Sequence, residues 1–232
     1  MLPRPPDAQV LLDFDRTLND SDLVYERNLD GLLGLTGRQV FQHWQRIHRY
    51  IVSNEPFERH EDLELHFRML LEELARVTAV SVKAELRRRI RAAQEECWYA
   101  TALFPEAIPF LNRMKDAGYT LHIATGDYAK TKAEHIERQG GCVYFAATFD
   151  EETLGVGKGK RDYFDRLLDR LMAQARNVVM VGDSLKNDIG PGQQVGLSTV
   201  WVRRKNEAIE QGVQPDITVA SLTEVLVAMG VG

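Results

Sequence analysis

Residues 10–18 read Val10-Leu11-Leu12-Asp13-Phe14-Asp15-Arg16-Thr17-Leu18. The three apolar residues at the start of this segment predict a short strand that is buried on both faces. Two carboxylates, Asp13 and Asp15, follow where that strand ends, and residues two apart in an extended chain point the same way. Ligands bind outside the carboxyl ends of the strands in an open α/β sheet. The spacing therefore fits a paired acidic site, and it fits an acidic turn equally well.

Further strands and helices alternate after this segment. Apolar runs at 119–124, 178–181 and 199–202 resemble the first strand. Helical patterns occupy 105–118, 129–139 and the region of Phe164 and Leu171. The last helix is predicted to start at Ser221, with Glu224 completing a capping box. This alternation predicts an α/β fold with a doubly wound, parallel, Rossmann-like sheet.

Residues 19–103 break the alternation, because their apolar residues recur at helical spacing without a strand-like run. The members of this pattern are Val40, Phe41, Trp44, Ile47, Ile51, Leu63, Phe67, Leu70, Leu74, Val77, Val82, Leu86, Ile90, Ala93 and Cys97. The simplest organisation is a catalytic core of residues 1–18 and 104–232 that carries an inserted, all-helical domain of residues 19–103.

The overall composition limits the class of protein. The 232 residues are 44% hydrophobic and 27% charged, as in a soluble globular protein. A net charge of −5 argues against a protein that grips nucleic acid along its surface. No apolar stretch approaches a membrane span, and none near the N-terminus resembles a cleavable signal. Two cysteines cannot form a disulfide framework, which fits a reducing cytoplasm. From the charge, the lack of a membrane span and the cysteine count together, we expect a cytoplasmic protein that binds neither nucleic acid nor membrane.

Three more segments carry candidate functional groups at or near predicted strand ends. Thr125-Gly126-Asp127 offers a hydroxyl and backbone donors that suit an anion. Residues 181–188 contain Asp183 and Asp188, carboxylates that suit the oxygen shell of Mg²⁺. Gly157-Lys158-Gly159-Lys160 precedes a helix and could place a fixed cation beside a phosphate. Read alone, the first and third segments fit an ordinary turn.

Together, in this order, the four segments resemble the haloacid dehalogenase-like superfamily, whose motifs are D-x-D-x-T, a strand-terminal Thr, a Lys and G-D-x-x-x-x-D. The helical insertion resembles the cap of the family's phosphatase branch, which follows the first core strand. Two positions depart from the pattern: Arg16 stands where Gly is frequent, and Gly159 follows the Lys where Pro is common. Spacing to Phe164 favours Lys158 as the motif lysine, with Lys160 as the alternative.

The resemblance implies a Mg²⁺-dependent phosphoric monoester hydrolase. Asp13 would attack phosphorus and form an aspartyl-phosphate, while Asp15 would protonate the leaving group and then activate water. Asp13, the backbone carbonyl of Asp15 and Asp183 would hold Mg²⁺, with Asp188 in the shell around them.

The same resemblance implies a phosphate-binding set made of Thr125, Lys158 and the backbone N–H groups of Phe14, Asp15 and Gly126. Thr125 and Lys158 (or Lys160) also complete the catalytic group. The implied substrate is a small phosphorylated metabolite. Asp15 favours phosphoryl chemistry over dehalogenation, because a halide leaves without a proton.

Three other functions remain compatible with parts of this pattern. A sugar phosphomutase of the same superfamily would use the same core. A non-catalytic binding or regulatory protein would be expected to lack at least one of the catalytic groups, all of which are present. A receiver-type signalling domain also pairs acids with Thr and Lys, but it is about half as long and has no helical insertion after its first strand.

Overall fold

The computed structural model describes residues 2–60, 62–80, 84–204 and 212–231. The chain forms two compact units, Met1–Asn19 with Leu103–Gly232, and Asp20–Ala102. The predicted domain boundaries differ from these by one residue at each junction. Predicted helix position Val82 and the side chain of Cys97 lie outside the described part of the chain.

The first unit contains a six-stranded sheet. Its strands are β1 Gln9–Leu12, β2 Thr120–Ala124, β3 Phe145–Phe149, β4 Val178–Gly182, β5 Ser198–Val202 and β6 Ile217–Val219. They lie in the order β3-β2-β1-β4-β5-β6, and each neighbouring pair is parallel. This confirms the predicted parallel α/β sheet. Because β1, β2 and β4 are adjacent, the loops that follow them leave the same edge of the sheet.

Helices of this unit pack on both faces of the sheet. They are α5 Ala107–Asp116, α6 Ala129–Gly140, α7 Glu151–Leu154, α8 Arg161–Leu171, α9 Gly190–Gln194 and α10 Leu222–Ala228. Val10 and Leu12 of β1 belong to the same apolar core as α5, α6 and α10. Leu11 belongs to a second core with α8. Successive residues of the central strand are thus buried on opposite faces, which explains why it lacks a polar alternation.

The second unit is helical throughout its described regular structure. Its helices are α1 Ser21–Asn28, α2 Gly37–Asn54, α3 Leu63–Thr78 and α4 Ala84–Tyr99, with short 3₁₀ turns at Leu32–Gly34 and Phe57–Arg59. The apolar positions predicted for α2 are buried in its core. In α3 the buried face is rotated: Leu65 and His66 are buried, whereas Val77 is exposed. Phe67 instead lies beneath the guanidinium of Arg91.

Two strands and one helix start differ from the prediction. The edge strands β3 and β6 carry exposed or half-buried residues, so they do not form continuous apolar runs. At the start of α10, Ser221 Oγ accepts the Glu224 N–H, but the Glu224 side chain accepts from Ala220 rather than from Ser221. The predicted reciprocal capping box is therefore only half formed. No helix of the described residues is both long and apolar enough to cross a bilayer.

Candidate active site

The end of β1 fixes the position of Asp13. Its backbone N–H donates to the Val181 carbonyl at 3.0 Å and so continues the pairing of β1 with β4. Thr17 Oγ1 donates to one carboxylate oxygen of Asp13 at 2.9 Å. Lys158 Nζ lies 2.5 Å from the other oxygen. Both oxygens of this buried carboxylate are therefore held in defined directions.

Burial and neighbouring charges act on the Asp13 carboxylate in opposite directions. Burial raises the pKa of the Asp13 carboxyl to about 6; Lys158 opposes that rise, whereas the nearby carboxylates of Asp188 and Asp15 add to it. Burial also disfavours the charged form of Lys158, but Asp13 and Asp188 outweigh it and hold the lysine pKa above its usual value. Lys158 thus stays a cation, and a further cation beside Asp13 would be stabilised.

The geometry distinguishes the two candidate lysines. Lys158 Nζ lies 2.7 Å from Asp188 as well as 2.5 Å from Asp13. Its backbone N–H donates to the Glu151 carboxylate at 2.8 Å, which anchors the loop before α8. Lys160 is exposed and occupies the N-cap position of α8. The structure therefore brings Lys158 into the acidic cluster and leaves Lys160 on the surface.

Three acidic side chains could hold a metal ion. One oxygen from each of Asp13, Asp183 and Asp188 lies within 4.8 Å of the other two. Trp201 Nε1 donates to the Asp183 carbonyl at 2.7 Å and fixes the loop after β4. Asp188 is oriented by the Ser184 N–H, which donates to its second oxygen at 2.9 Å. Converging carboxylate oxygens are the donors that Mg²⁺ and Ca²⁺ prefer, so these residues fit such a group.

Arg16 also reaches this cluster. Its Nε lies 3.0 Å from Asp183, although the Arg16 side chain is half exposed. The backbone of Arg16 has a φ of +60°, in the left-handed region that favours glycine. That conformation explains why Gly is frequent at this position of the motif.

A second buried lysine, Lys132 of α6, organises the other side of the site. Its Nζ donates to Asp15 at 2.9 Å and to Thr125 Oγ1 at 3.2 Å, and it also pairs with Asp127. Burial would lower the pKa of Lys132, but the carboxylates of Asp127 and Asp15 outweigh that effect and raise it. Asp15 therefore faces Lys132, whereas Asp13 faces Lys158.

Thr125 and Gly126 lie where β2 ends. The Thr125 N–H donates to the Phe149 carbonyl at 3.0 Å, and the Tyr163 hydroxyl donates to the Thr125 carbonyl at 2.9 Å. The Gly126 carbonyl accepts the Glu151 N–H at 3.0 Å. These bonds fix the backbone of the turn.

Phe14 belongs to the core through its side chain and to the loop through its backbone. Its ring is buried, and Lys132 Nζ lies 5.0 Å from the ring centroid. Its carbonyl accepts the N–H groups of Leu18 at 3.0 Å and Asn19 at 2.9 Å. The loop after β1 is therefore a closed turn.

Lys132 and the role of Asp127 were not predicted from the sequence. Asp127 belongs to the Thr125-Gly126-Asp127 segment and was available as an acid at a strand end. Lys132 lies seven residues after Thr125, in the first turn of α6. A lysine on the first turn of a helix that follows a motif strand is the signal that could have identified it.

The fold and this site correspond to a known class of enzyme. Residues 9–196 match the family of haloacid dehalogenase-like hydrolases. The chain belongs to this family of hydrolases.

Two curated relatives are named as a nucleotidase and a phosphatase. The chain is 31% identical over 121 residues to pyrimidine 5'-nucleotidase YjjG of Escherichia coli (strain K12), a match that covers 52% of this chain and 53% of that protein. It is 27% identical over 210 residues to the glyceraldehyde 3-phosphate phosphatase of Methanopyrus kandleri, covering 84% of this chain and 83% of that protein. The first of these matches thus spans about half the length of the relative.

Solved structures share the fold. A dehalogenase structure superposes with a TM-score of 0.76 at 18% identity, over 95% of this chain and 96% of that chain. Identity at this level establishes a common architecture and leaves the reaction to the site itself.

Proposed function

We propose that this chain is a Mg²⁺-dependent phosphatase that hydrolyses a small organic phosphomonoester through an aspartyl-phosphate on Asp13. The observation that carries this proposal is the arrangement of Asp13, a buried carboxylate held at one oxygen by Lys158 and at the other by Thr17. The named activities of the two curated relatives support the same reaction class.

Asp13 is the nucleophile in this proposal. A bond forms between one of its carboxylate oxygens and phosphorus while the ester bond to the leaving oxygen breaks. A carboxylate that approaches an anionic phosphate is repelled, so the site needs fixed positive charge. Lys158 supplies part of that charge, and its contacts with Asp13 and Asp188 keep it protonated.

Asp15 is the general acid and base. An alkoxide leaving group needs a proton, and water that attacks the aspartyl-phosphate must lose one, so a single carboxyl group can serve both steps in turn. Lys132 holds one Asp15 oxygen at 2.9 Å and thereby limits the directions in which the carboxyl group points. A halide needs no such proton, so Asp15 favours phosphate ester hydrolysis over dehalogenation.

The phosphoryl oxygens are bound by Thr125, Lys158 and the backbone N–H groups of Phe14, Asp15 and Gly126. Thr125 is buried, and Lys132 Nζ donates to its hydroxyl oxygen at 3.2 Å, leaving the hydroxyl proton available as a donor. Donors that are fixed before the reaction stabilise developing charge without reorganisation.

Asp13, Asp183 and the backbone carbonyl of Asp15 are the proposed Mg²⁺ ligands, and Asp188 lies behind them beside Lys158. When bound there, Mg²⁺ would neutralise negative charge on the phosphoryl group and on the clustered carboxylates. The mutual proximity of the three acidic side chains supports this assignment.

Three assays test the proposal. Purified protein should release phosphate from members of a panel of phosphorylated metabolites when Mg²⁺ is present, and chelator should abolish the reaction. A phosphomutase would instead require a sugar phosphate activator, so turnover of nitrophenyl phosphate without one separates the two activities. Full activity in chelator would contradict the metal assignment, and halide release from a 2-haloacid without phosphate release would contradict the reaction class.

A further inference from the structure

Arg204 lies two residues beyond β5 and contacts the loop that carries the proposed catalytic acids. Its Nε donates to the Arg16 carbonyl at 3.2 Å, and its Nη2 donates to the Thr17 carbonyl at 3.0 Å. Its third nitrogen pairs with Glu106 at 2.8 Å. The guanidinium lies 3.5 Å from the centroid of the Phe104 ring. All three guanidinium nitrogens thus have partners, and the side chain is largely buried.

These contacts hold a turn that would otherwise be costly. Arg16 has left-handed backbone angles, which are unfavourable for a residue with a side chain. Its N–H donates to the Asn19 carbonyl at 2.7 Å, which closes the turn on one side. Arg204 binds the carbonyls of Arg16 and Thr17 on the other side. A planar guanidinium with a rigid fork of donors suits two adjacent acceptors in a way that a lysine ammonium does not.

The turn joins Asp15 to Thr17, so its position sets the directions of two functional side chains. Asp15 immediately precedes the turn, and Thr17 donates to Asp13. Asp13 itself is held independently by the pairing of β1 with β4 and by Lys158. Lys132 holds the side chain of Asp15, but the backbone of Asp15 continues directly into the turn, so displacing the turn would move Asp15 more than the nucleophile.

We propose that Arg204 is a positioning residue that holds the turn after Asp15 and keeps the Asp15 carboxyl group aligned for proton transfer. This inference rests on the proposed function, because it takes Asp15 as the general acid. The residue acts through the loop and touches no substrate atom. Its loss should therefore slow the chemical step most where a proton must be delivered to the leaving group.

The experiment measures kcat/KM with Mg²⁺ for an alkyl phosphate and for nitrophenyl phosphate, because kcat/KM reports transfer to Asp13 and excludes the later hydrolysis step, which is the same for both substrates. Arg204→Met and Arg204→Lys should each lower kcat/KM for the alkyl phosphate, by on the order of 10²-fold for Arg204→Met. The loss for nitrophenyl phosphate should be much smaller, because nitrophenolate leaves without a proton. Arg204→Lys keeps a cation beside Glu106, so it supplies the measurement if Arg204→Met does not fold. Arg113→Lys, an exposed position on α5, is the matched control and should equal wild type.

Chemical rescue of an Arg204 variant tests the positioning role, and the Asp15→Asn variant distinguishes a failure of that role from a failure of the acid assignment. Ethylguanidinium added to Arg204→Ala should restore part of the lost kcat/KM for the alkyl phosphate and leave Arg204→Lys unaffected. Equal losses of kcat/KM on both substrates in folded Arg204 variants, or no loss, would overturn the inference. Asp15→Asn is measured alongside. If Asp15→Asn discriminates between the substrates and the Arg204 variants do not, the positioning role alone fails. If Asp15→Asn lowers kcat/KM equally on both substrates, the acid assignment in the proposed function fails.

Discussion

Close packing behind the acidic cluster leaves no room for a side chain at Gly182. A Cβ atom there would lie 2.3 Å from one carboxylate oxygen of Asp188 and 2.5 Å from its carboxyl carbon. The glycine at the end of β4 therefore lets Asp188 approach the backbone while it contacts Lys158. This requirement gives the Gly-Asp pair of the fourth motif a steric reason.

Gly182→Ala should displace the Asp188 carboxylate. Overpacking of this kind costs about 1–3 kcal/mol of unfolding free energy, and we also expect a fall in kcat because Lys158 loses a partner. Urea unfolding and phosphatase assays measure the two effects. Gly192→Ala in α9 is the control, since its Cβ would meet its nearest neighbour at an ordinary 3.5 Å. Wild-type stability in Gly182→Ala would show that the packing is looser than described.

At the residue scale, the sequence predicted groups that follow strands and missed groups that reach in from elsewhere. Asp13, Asp183 and Asp188 sit in motifs whose strand context was visible, and the structure brings them together. Lys132 and Arg204 were not predicted. For Lys132 a local signal existed, because it contacts Thr125 seven residues earlier from the first turn of α6. Arg204 contacts a carbonyl 188 positions earlier in the chain, and no local pattern specifies such a contact, which arises from the order of strands in the sheet.

At the scale of elements, the helix α10 shows how a start signal is used. Ser221 Oγ accepts the Glu224 N–H at 3.3 Å and so satisfies one of the free donors at the helix start. Glu224 satisfies the Ala220 N–H at 2.9 Å, one residue earlier than a capping box would require. The motif thus fixes where the helix begins even though only half of the reciprocal pair forms.

Ser221→Ala should lower the unfolding free energy by about 1 kcal/mol, the usual effect of removing an N-cap side chain. Chemical denaturation of both proteins measures the difference. Thr223→Ala serves as the control, because Thr223 is exposed within the helix and alanine is the better helix former. The capping role would be contradicted if Ser221→Ala were as stable as wild type.

Edge strands were the least predictable elements. β3 reads Phe145-Ala-Ala-Thr-Phe149, and only its terminal residues are buried, while β6 has three residues. Central strands are covered on both faces and must be apolar throughout, so β1, β4 and β5 could be recognised. An edge strand is shielded less and needs less apolar sequence.

At the scale of the whole molecule, the spacing of apolar residues differs between the two units and so distinguishes them in the sequence. Short apolar runs predict strands of the core, and apolar residues at helical spacing predict the unit Asp20–Ala102. The buried face of α3 was predicted less well, because several of its leucines lie close together along the helix and periodicity alone does not choose among them. Tertiary packing made that choice.

A buried histidine in β2 makes the stability of the core depend on pH. His122 is buried, its Nε2 lies 2.9 Å from the Gln9 side-chain oxygen, and burial lowers its pKa to about 4. Its pKa in the unfolded chain is near 6.5, so the unfolded state binds the extra proton first as the pH falls. The unfolding free energy is therefore unaffected by His122 above pH 6.5. Between pH 6.5 and pH 4 it falls by up to about 1.4 kcal/mol per pH unit, because only the unfolded state binds the proton there.

His122→Leu should remove this dependence. Unfolding free energies measured from pH 7 to pH 4.5 should fall less steeply in the variant than in the wild type, whatever their absolute values at pH 7. Thr223→Ala is the control: it changes an exposed residue and leaves every histidine in place, so it should retain the wild-type slope. Identical slopes for His122→Leu and the wild type would contradict the assignment of a neutral buried histidine.

We propose that Asp13 carries the phosphoryl group during turnover. Acid quenching during steady-state hydrolysis, followed by peptide mass spectrometry, measures it directly. We expect one phosphoryl group on the peptide that contains Asp13. It should form when Mg²⁺ is present, disappear during a chase with substrate-free buffer, and be absent from Asp13→Asn. Phosphate on a different residue, or undiminished turnover by Asp13→Asn, would contradict it.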